Sequence, residues 1–133
     1  MSESDLLFDT WAWWEYLFGT ETGNALRRRF LEDRKWRIHT SAISLGEISA
    51  KMASSGARDR IVPACGAIRR LSHLWDVNAD IAQEAGILRQ ELRRTRETAS
   101  LADAIILVTS RRAGARLVSG DPAFSGVAGV IAR

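Results

Sequence analysis

The chain has 133 residues, 46% of them apolar and 26% charged, with two prolines and one cysteine, Cys65. That composition describes one ordinary globular domain spanning the chain, long enough to bury a sizeable core, and it excludes a disordered chain, a collagen repeat and a disulfide-stapled miniprotein. Nineteen basic against sixteen acidic residues leave a net charge of +3, compatible with an anionic partner without requiring one.

The first residues, Met1 to Asp5, carry acids where a secretory signal needs Lys or Arg. The longest strongly apolar run, Ala104 to Val108, falls far short of the roughly 20 residues of a membrane span. A cytoplasmic protein with no membrane contact is expected, and the lone cysteine suits that compartment. All basic residues except Lys35 and Lys51 are arginines.

Leu6 to Phe8 forms a short apolar strand ending at Asp9-Thr10, and a helix starts at Thr10 or Trp11. A second helix is predicted from about Glu21 to Asp33, with Leu26 and Phe30 facing inward, followed by a strand over Trp36 to Thr40. Helices over Ser44 to Ser54 and Asp59 to Ser72 precede a strand at Leu74 to Val77. A longer helix, Asp80 to Arg96, is striped on one face by Ile81, Ala85, Leu88 and Leu92. The helix Ser100 to Arg112 ends at Gly114 as C-cap, and strands follow at Ala115 to Val118 and Val127 to Ala132. Strands separated by helices give an α/β fold, a mainly parallel sheet with helices on both faces.

Four acids, Asp9, Glu47, Asp103 and Asp121, have simple structural readings when taken singly. Asp9 caps the first helix, Ser44 and Glu47 fit a capping box, Ser100 and Asp103 fit another, and Asp121 before Pro122 is turn chemistry. Taken together, Asp9 and Asp121 fall at the carboxyl ends of strands, and Glu47 and Asp103 in first turns of helices. That edge of a parallel sheet is where ligands bind. Converging carboxylates repel and raise one another's pKa values unless a cation compensates, and Mg²⁺ or Mn²⁺ is the hard, oxygen-seeking choice. Few Cys and His residues are present to hold zinc.

The segments Asp9-Thr10, Ala42-Ile43-Ser44-Leu45-Gly46-Glu47-Ile48, Ser100-Leu101-Ala102-Asp103-Ala104-Ile105-Ile106 and Ser119-Gly120-Asp121-Pro122-Ala123-Phe124 resemble, in order and interval, the motifs of PIN-domain ribonucleases. The resemblance runs from about Leu6 to Phe124 and is closest in kind to the VapC toxins of toxin–antitoxin pairs. It implies a three-layer α/β/α sandwich, Mg²⁺- or Mn²⁺-dependent endoribonuclease activity, inhibition by a cognate antitoxin, and a homodimer. By position, Asp9 and Asp103 would be the principal metal ligands, Glu47 would support them, Asp121 would complete the cluster, and Thr10 and Ser119 would orient carboxylates. Two departures stand out. Ala123 replaces a polar or acidic residue common in the family, which bears on a second metal, and Arg96-Glu97-Thr98-Ala99 lacks the glycine common before the third motif.

Other features have competing readings. His39 and His73 have one reading as the acid and base of a metal-free ribonuclease, but nothing in the sequence places them together, and both read as structural residues. Arginine groups at 27–29, 69–70, 93–96 and 111–112 suit an RNA path or solvated helix faces. Half of the aromatic residues lie between Trp11 and Phe18. On a helix Trp11, Trp14 and Phe18 share one face, and Trp13 and Tyr16 point away from it; the resemblance to VapC toxins implies that the surplus apolar surface, Trp13 included, is an antitoxin contact, and the competing readings are a thick core and a platform for base stacking. A rival reading of the chain is a non-catalytic helix-turn-helix module over Ser44 to Val62, which leaves three of the acids unexplained. A phosphoryl-accepting receiver domain needs an early acidic pair and a late lysine, which the sequence lacks.

Overall fold

The computed structural model describes residues 3–127 and 129–131. Five short parallel strands, β1 (Asp5–Phe8), β2 (Arg37–Ser41), β3 (His73–Trp75), β4 (Arg116–Val118) and β5 (Val130–Ile131), form one sheet in the order β3-β2-β1-β4-β5. The helices are α1 (Thr10–Leu17), α2 (Glu21–Leu26), α3 (Ala42–Ser54), α4 (Ile61–Leu71), α5 (Ala79–Leu92) and α6 (Leu101–Arg112). Among the described residues, no helix is long and apolar enough to cross a membrane.

Alternation along β1 builds the layers. Successive side chains of a strand point to opposite faces, and Leu6 and Phe8 join Trp13, Phe30, Ile48, Met52 and Ile68 in one core, while Leu7 joins Ile81, Ala85, Leu88 and residues of α6 in the other. The result is a three-layer α/β/α sandwich. Helix α6 is its most deeply set helix: Ala104 through Ser110 are all buried. The polar side chains in that run close onto their own helix, Thr109 donating to the Ile105 carbonyl and Ser110 to that of Leu107, so neither hydroxyl is left unsatisfied.

Strand order reverses at β1. The chain moves outward through β2 and β3, then returns to the other side of β1 with β4. The crevice beyond the carboxyl ends of β1 and β4 is thus the place where such a sheet leaves room for a ligand.

Several boundaries differ from the sequence expectation, each for a local reason. Helix α3 starts at Ala42, because the Ser41 hydroxyl accepts the Ile43 N–H (3.3 Å). Ser44 is therefore inside the helix and Glu47 in its second turn, so the Ser44–Glu47 capping box does not form. The second helix is α2 followed by a π turn, Arg27–Leu31, closed by the Glu32 N–H to the Arg27 carbonyl (2.9 Å), and it stops two residues short of Asp33. Helix α5 ends at Leu92 instead of Arg96. There the chain turns back, and the Arg93 and Arg96 guanidinium groups hold the carbonyls of Ala99 and Ser125. The final strand is shorter than expected, and Ala132 lies outside the described residues.

The apolar faces of α1 are also reversed. Trp13 is fully buried, packs against Phe8 and Tyr16, and donates its indole N–H to Thr40 Oγ1 (3.0 Å). Trp11 and Trp14 are half-buried and Phe18 is exposed. Trp13 is therefore a core residue and no part of a partner surface. The segment read as a helix-turn-helix is α3, a turn with Gly56 at φ +80°, a 3₁₀ turn and the start of α4. It bridges β2 to β3, and Ile48, Met52, Ala64 and Ile68 seal it onto the sheet.

Candidate active site

The four acids reach one cavity by separate routes. Asp9 follows β1 and caps α1, its Oδ1 accepting the Ala12 N–H (2.8 Å). Asp103 stands at the third position of α6 in a complete capping box with Ser100, whose N–H it accepts at 2.8 Å. Asp121 caps a 3₁₀ turn beyond β4, accepting the Ala123 N–H at 2.9 Å. Glu47 comes across from α3, and its Oε1 accepts the Thr10 hydroxyl at 2.6 Å. The capping readings of Asp9 and Asp103 and the turn reading of Asp121 are thus correct and are also the means of aiming: each bond fixes one oxygen of a carboxylate that lines the crevice.

All four line a cavity of about 200 Å³ with Thr10, Trp11, Trp14, Lys51 and Ile106. Thr10 and Ser119 both act on these acids. Thr10 Oγ1 also lies 3.0 Å from Ser44 Oγ. Ser119, buried at the end of β4, donates to Asp9 Oδ2 and accepts the Asp121 N–H (2.9 Å). Two of the acids are thereby held through one hydroxyl.

Burial dominates the electrostatics. It pushes the Asp9 carboxyl from an ordinary 3.8 up to about 7; the Asp121 and Asp103 charges add to the rise, and the Ser119 and Ala12 hydrogen bonds oppose it. Burial also raises Glu47, with Asp103 and Asp121 adding and Thr10 opposing. Asp103 is raised by burial and by Asp121, against its bonds to Ser100. Among the described residues the ion pairs lie elsewhere, Arg27 with Glu32, Arg37 with Asp5, and Arg112 with Glu84, so none neutralises these acids.

An all-oxygen, anionic donor set of this kind fits a hard divalent cation. Among the described residues no three acidic, histidine or cysteine side chains are already gathered into a single ligand shell.

Sequence reasoning missed the remaining walls. Lys51 is one helical turn beyond Glu47, a spacing of four that puts both on one face of α3, and its ammonium sits 4.1 Å from the centroid of the Trp14 ring. Trp11 lies against Gly120, where a Cβ would stand 2.4 Å from the indole. His39 and His73, far apart in sequence, are neighbours across β2 and β3 with ring centroids 5.7 Å apart, away from the acids.

The PIN domain family model matches residues 6–130. Comparison with curated protein sequences gave no match. Among solved structures, the chain is similar to one in a toxin–antitoxin complex from Klebsiella pneumoniae (26% identity, TM-score 0.68, 95% of each chain covered). It also shares its fold with VapC20 of Mycobacterium tuberculosis, a toxin that cleaves the sarcin–ricin loop (24% identity, TM-score 0.71, covering 92% of this chain and 95% of that one). A third likeness is to a chain of VapBC2 from Rickettsia felis, bound to a promoter DNA fragment (16% identity, TM-score 0.72, 97% of each chain). With the family model spanning nearly its whole length, the chain belongs to the PIN domain family, and its parallel sheet between two helical layers is built like that of the VapC-type toxins.

Proposed function

We propose that this chain is the endoribonuclease toxin of a toxin–antitoxin pair, hydrolysing RNA phosphodiester bonds at the Asp9, Glu47, Asp103 and Asp121 cavity with Mg²⁺ or Mn²⁺, and restrained by a cognate antitoxin. The observation that carries this reading is the gathering of four carboxylates, three of them raised in pKa, at the switch point of a parallel sheet with no ion-pair partner among the described residues. Such a site favours a ligand that brings positive charge and takes oxygen donors. Likeness to the toxin structures supports the antitoxin and the RNA substrate, and a homodimer in the cytoplasm belongs to the same reading.

Asp9 and Asp103 would hold the cation, with Glu47 and Asp121 completing the shell directly or through water. When bound, the cation lowers the pKa of a coordinated water and neutralises charge developing on the phosphate oxygens. The chain's residues supply the rest. Ser119 and the Ala12 N–H fix both Asp9 oxygens, so this carboxylate needs no reorganisation on binding. Thr10 fixes Glu47 Oε1 and leaves the other oxygen to accept a proton from an attacking water, a role the raised pKa favours.

The test is cleavage of a mixed RNA pool by wild type and Asp9→Asn, each with Mg²⁺, Mn²⁺ or EDTA. Cleavage by wild type alone, abolished by EDTA, is the expected result. Equal cleavage by folded Asp9→Asn overturns the assignment.

A further inference from the structure

A second cavity, of about 530 Å³, opens where β1, β2 and β3 begin, at the opposite end of the sheet from the acids. Asp5 and Asp9 bracket β1, and four residues of strand separate them by about 13 Å. The second cavity is lined by Asp5, Arg37, His39, Arg70, His73 and Trp75, among others. Its hydrogen bonds define how each ring is used. An indole N–H can only donate, and that of Trp75 points at His39 Nδ1 (3.1 Å). Nδ1 therefore carries no proton, and the proton sits on Nε2, which donates to Asp5 Oδ1 (2.8 Å). His39 is a neutral ring fixed in one tautomer, with both nitrogens engaged, so it is neither a metal ligand nor a free base.

The consequence falls on Trp75. Its one polar atom is satisfied, its plane is set by His39, and it is half-buried, so a ligand meets it through its π surface. The exposed His73 ring stands edge-on to both neighbours, 5.7 Å from His39 and 5.8 Å from Trp75. Charge on the rim is positive. Arg37 grips both Asp5 oxygens at 3.1 Å, yet its side chain is 68% exposed. Arg70 is exposed in the last turn of α4, and among the described residues it makes no hydrogen bond or ion pair. Aromatic rings fixed on a sheet beside arginines suit a flat base that carries a phosphate.

We infer that this cavity binds a nucleoside phosphate, the base against Trp75 and His73 and the phosphate on Arg70 and the outer edge of Arg37. The ligand is either a free nucleotide or an unpaired nucleotide of an RNA strand. In the second case the inference deepens the ribonuclease reading by giving the strand a hold remote from the cleavage site.

The experiment follows the Trp75 indole N–H by NMR, assigned through its loss in Trp75→Phe. Wild type and Arg70→Gln are titrated in EDTA with AMP, with ribose 5-phosphate and with a short single-stranded RNA. A Trp75 shift saturating with AMP, with weaker binding of ribose 5-phosphate, identifies the free nucleotide; a shift with the oligonucleotide alone identifies the strand. Arg70 is exposed, so Arg70→Gln keeps the fold, and loss of its charge-assisted contact weakens binding about five- to tenfold. An unmoved Trp75 signal with every ligand, or an unchanged affinity in Arg70→Gln, overturns the inference. Asp9→Asn separates the two readings, because it loses cleavage and keeps the Trp75 response.

Discussion

Asp9 shows what the site costs the fold. In the unfolded chain its carboxyl releases a proton near 3.8, whereas the folded protein holds that proton to about 7. Between these values the native state binds the extra proton, so its stability falls as pH rises through that window and stays lowered above it. A shift of about three units corresponds to a penalty of order 4 kcal/mol at high pH. Asn is nearly isosteric and carries no charge. Asp9→Asn should therefore unfold at a higher temperature than wild type in EDTA, by a margin that is small near pH 5 and grows toward pH 8. Thermal melts across that range check this, and a margin independent of pH would show that Asp9 is ionised throughout. Ser119 belongs to the same scale. Ser119→Ala deprives Asp9 of a donor and the Asp121 N–H of an acceptor, at about 1–3 kcal/mol for the buried groups left unpaired. RNA cleavage should fall with it and return in Ser119→Thr, which restores the hydroxyl; a fully active Ser119→Ala would remove this residue from the site.

At the scale of elements, α1 has aromatic residues on two faces, and the structure assigns each face its work. Trp13 fills the core between β1 and the first helices, so Trp13→Ala should lose about 3–5 kcal/mol in urea unfolding. Phe18, exposed at the helix end with its ring against Trp14 (centroids 4.3 Å apart), should lose only about 1 kcal/mol as Phe18→Ser. Equal costs at the two positions would contradict the reversed helix face. This helix also marks where sequence reasoning stops. The single stripe of α5, Ile81 to Leu92, is legible because polar residues surround it, and it is buried as read. With aromatic side chains pointing two ways, α1 offers no such contrast, and Trp13 is buried through partners outside its own helix, the Phe8 ring and the Thr40 hydroxyl. The start of α3 is ambiguous in sequence for a similar reason: Ser41 and Ser44 are both good caps, and the turn out of β2 decides between them. Asp9, Asp103 and Asp121 were legible because each cap is a local pattern. Lys51 and the Trp11 wall were not, since their place in the cavity depends on how α1, α3 and Gly120 pack together.

For the molecule as a whole, the order β3-β2-β1-β4-β5 separates assembly from chemistry. Two apolar layers hold the sheet from both sides, and the acids gather at its carboxyl edge, outside both apolar clusters. A fold held in this way tolerates repulsion at its rim, and a bound cation relieves that repulsion. Linkage then sets the size and the pH dependence of the effect. A cation at about 100 times its dissociation constant adds about 2.7 kcal/mol, worth several degrees in the melting temperature of a chain this long. Because Asp9 holds its proton to about pH 7, and burial raises Glu47 and Asp103 as well, a cation must compete with the Asp9 proton below about pH 7 and much less above it. Mn²⁺ or Mg²⁺ should thus raise the melting temperature of wild type clearly at pH 8 and little at pH 5, and EDTA should reverse the gain. Asp103→Asn should lose most of this response while remaining folded, because its capping oxygen can still accept the Ser100 N–H. A melting temperature indifferent to divalent cations at pH 8 would leave the acidic crevice without its proposed occupant.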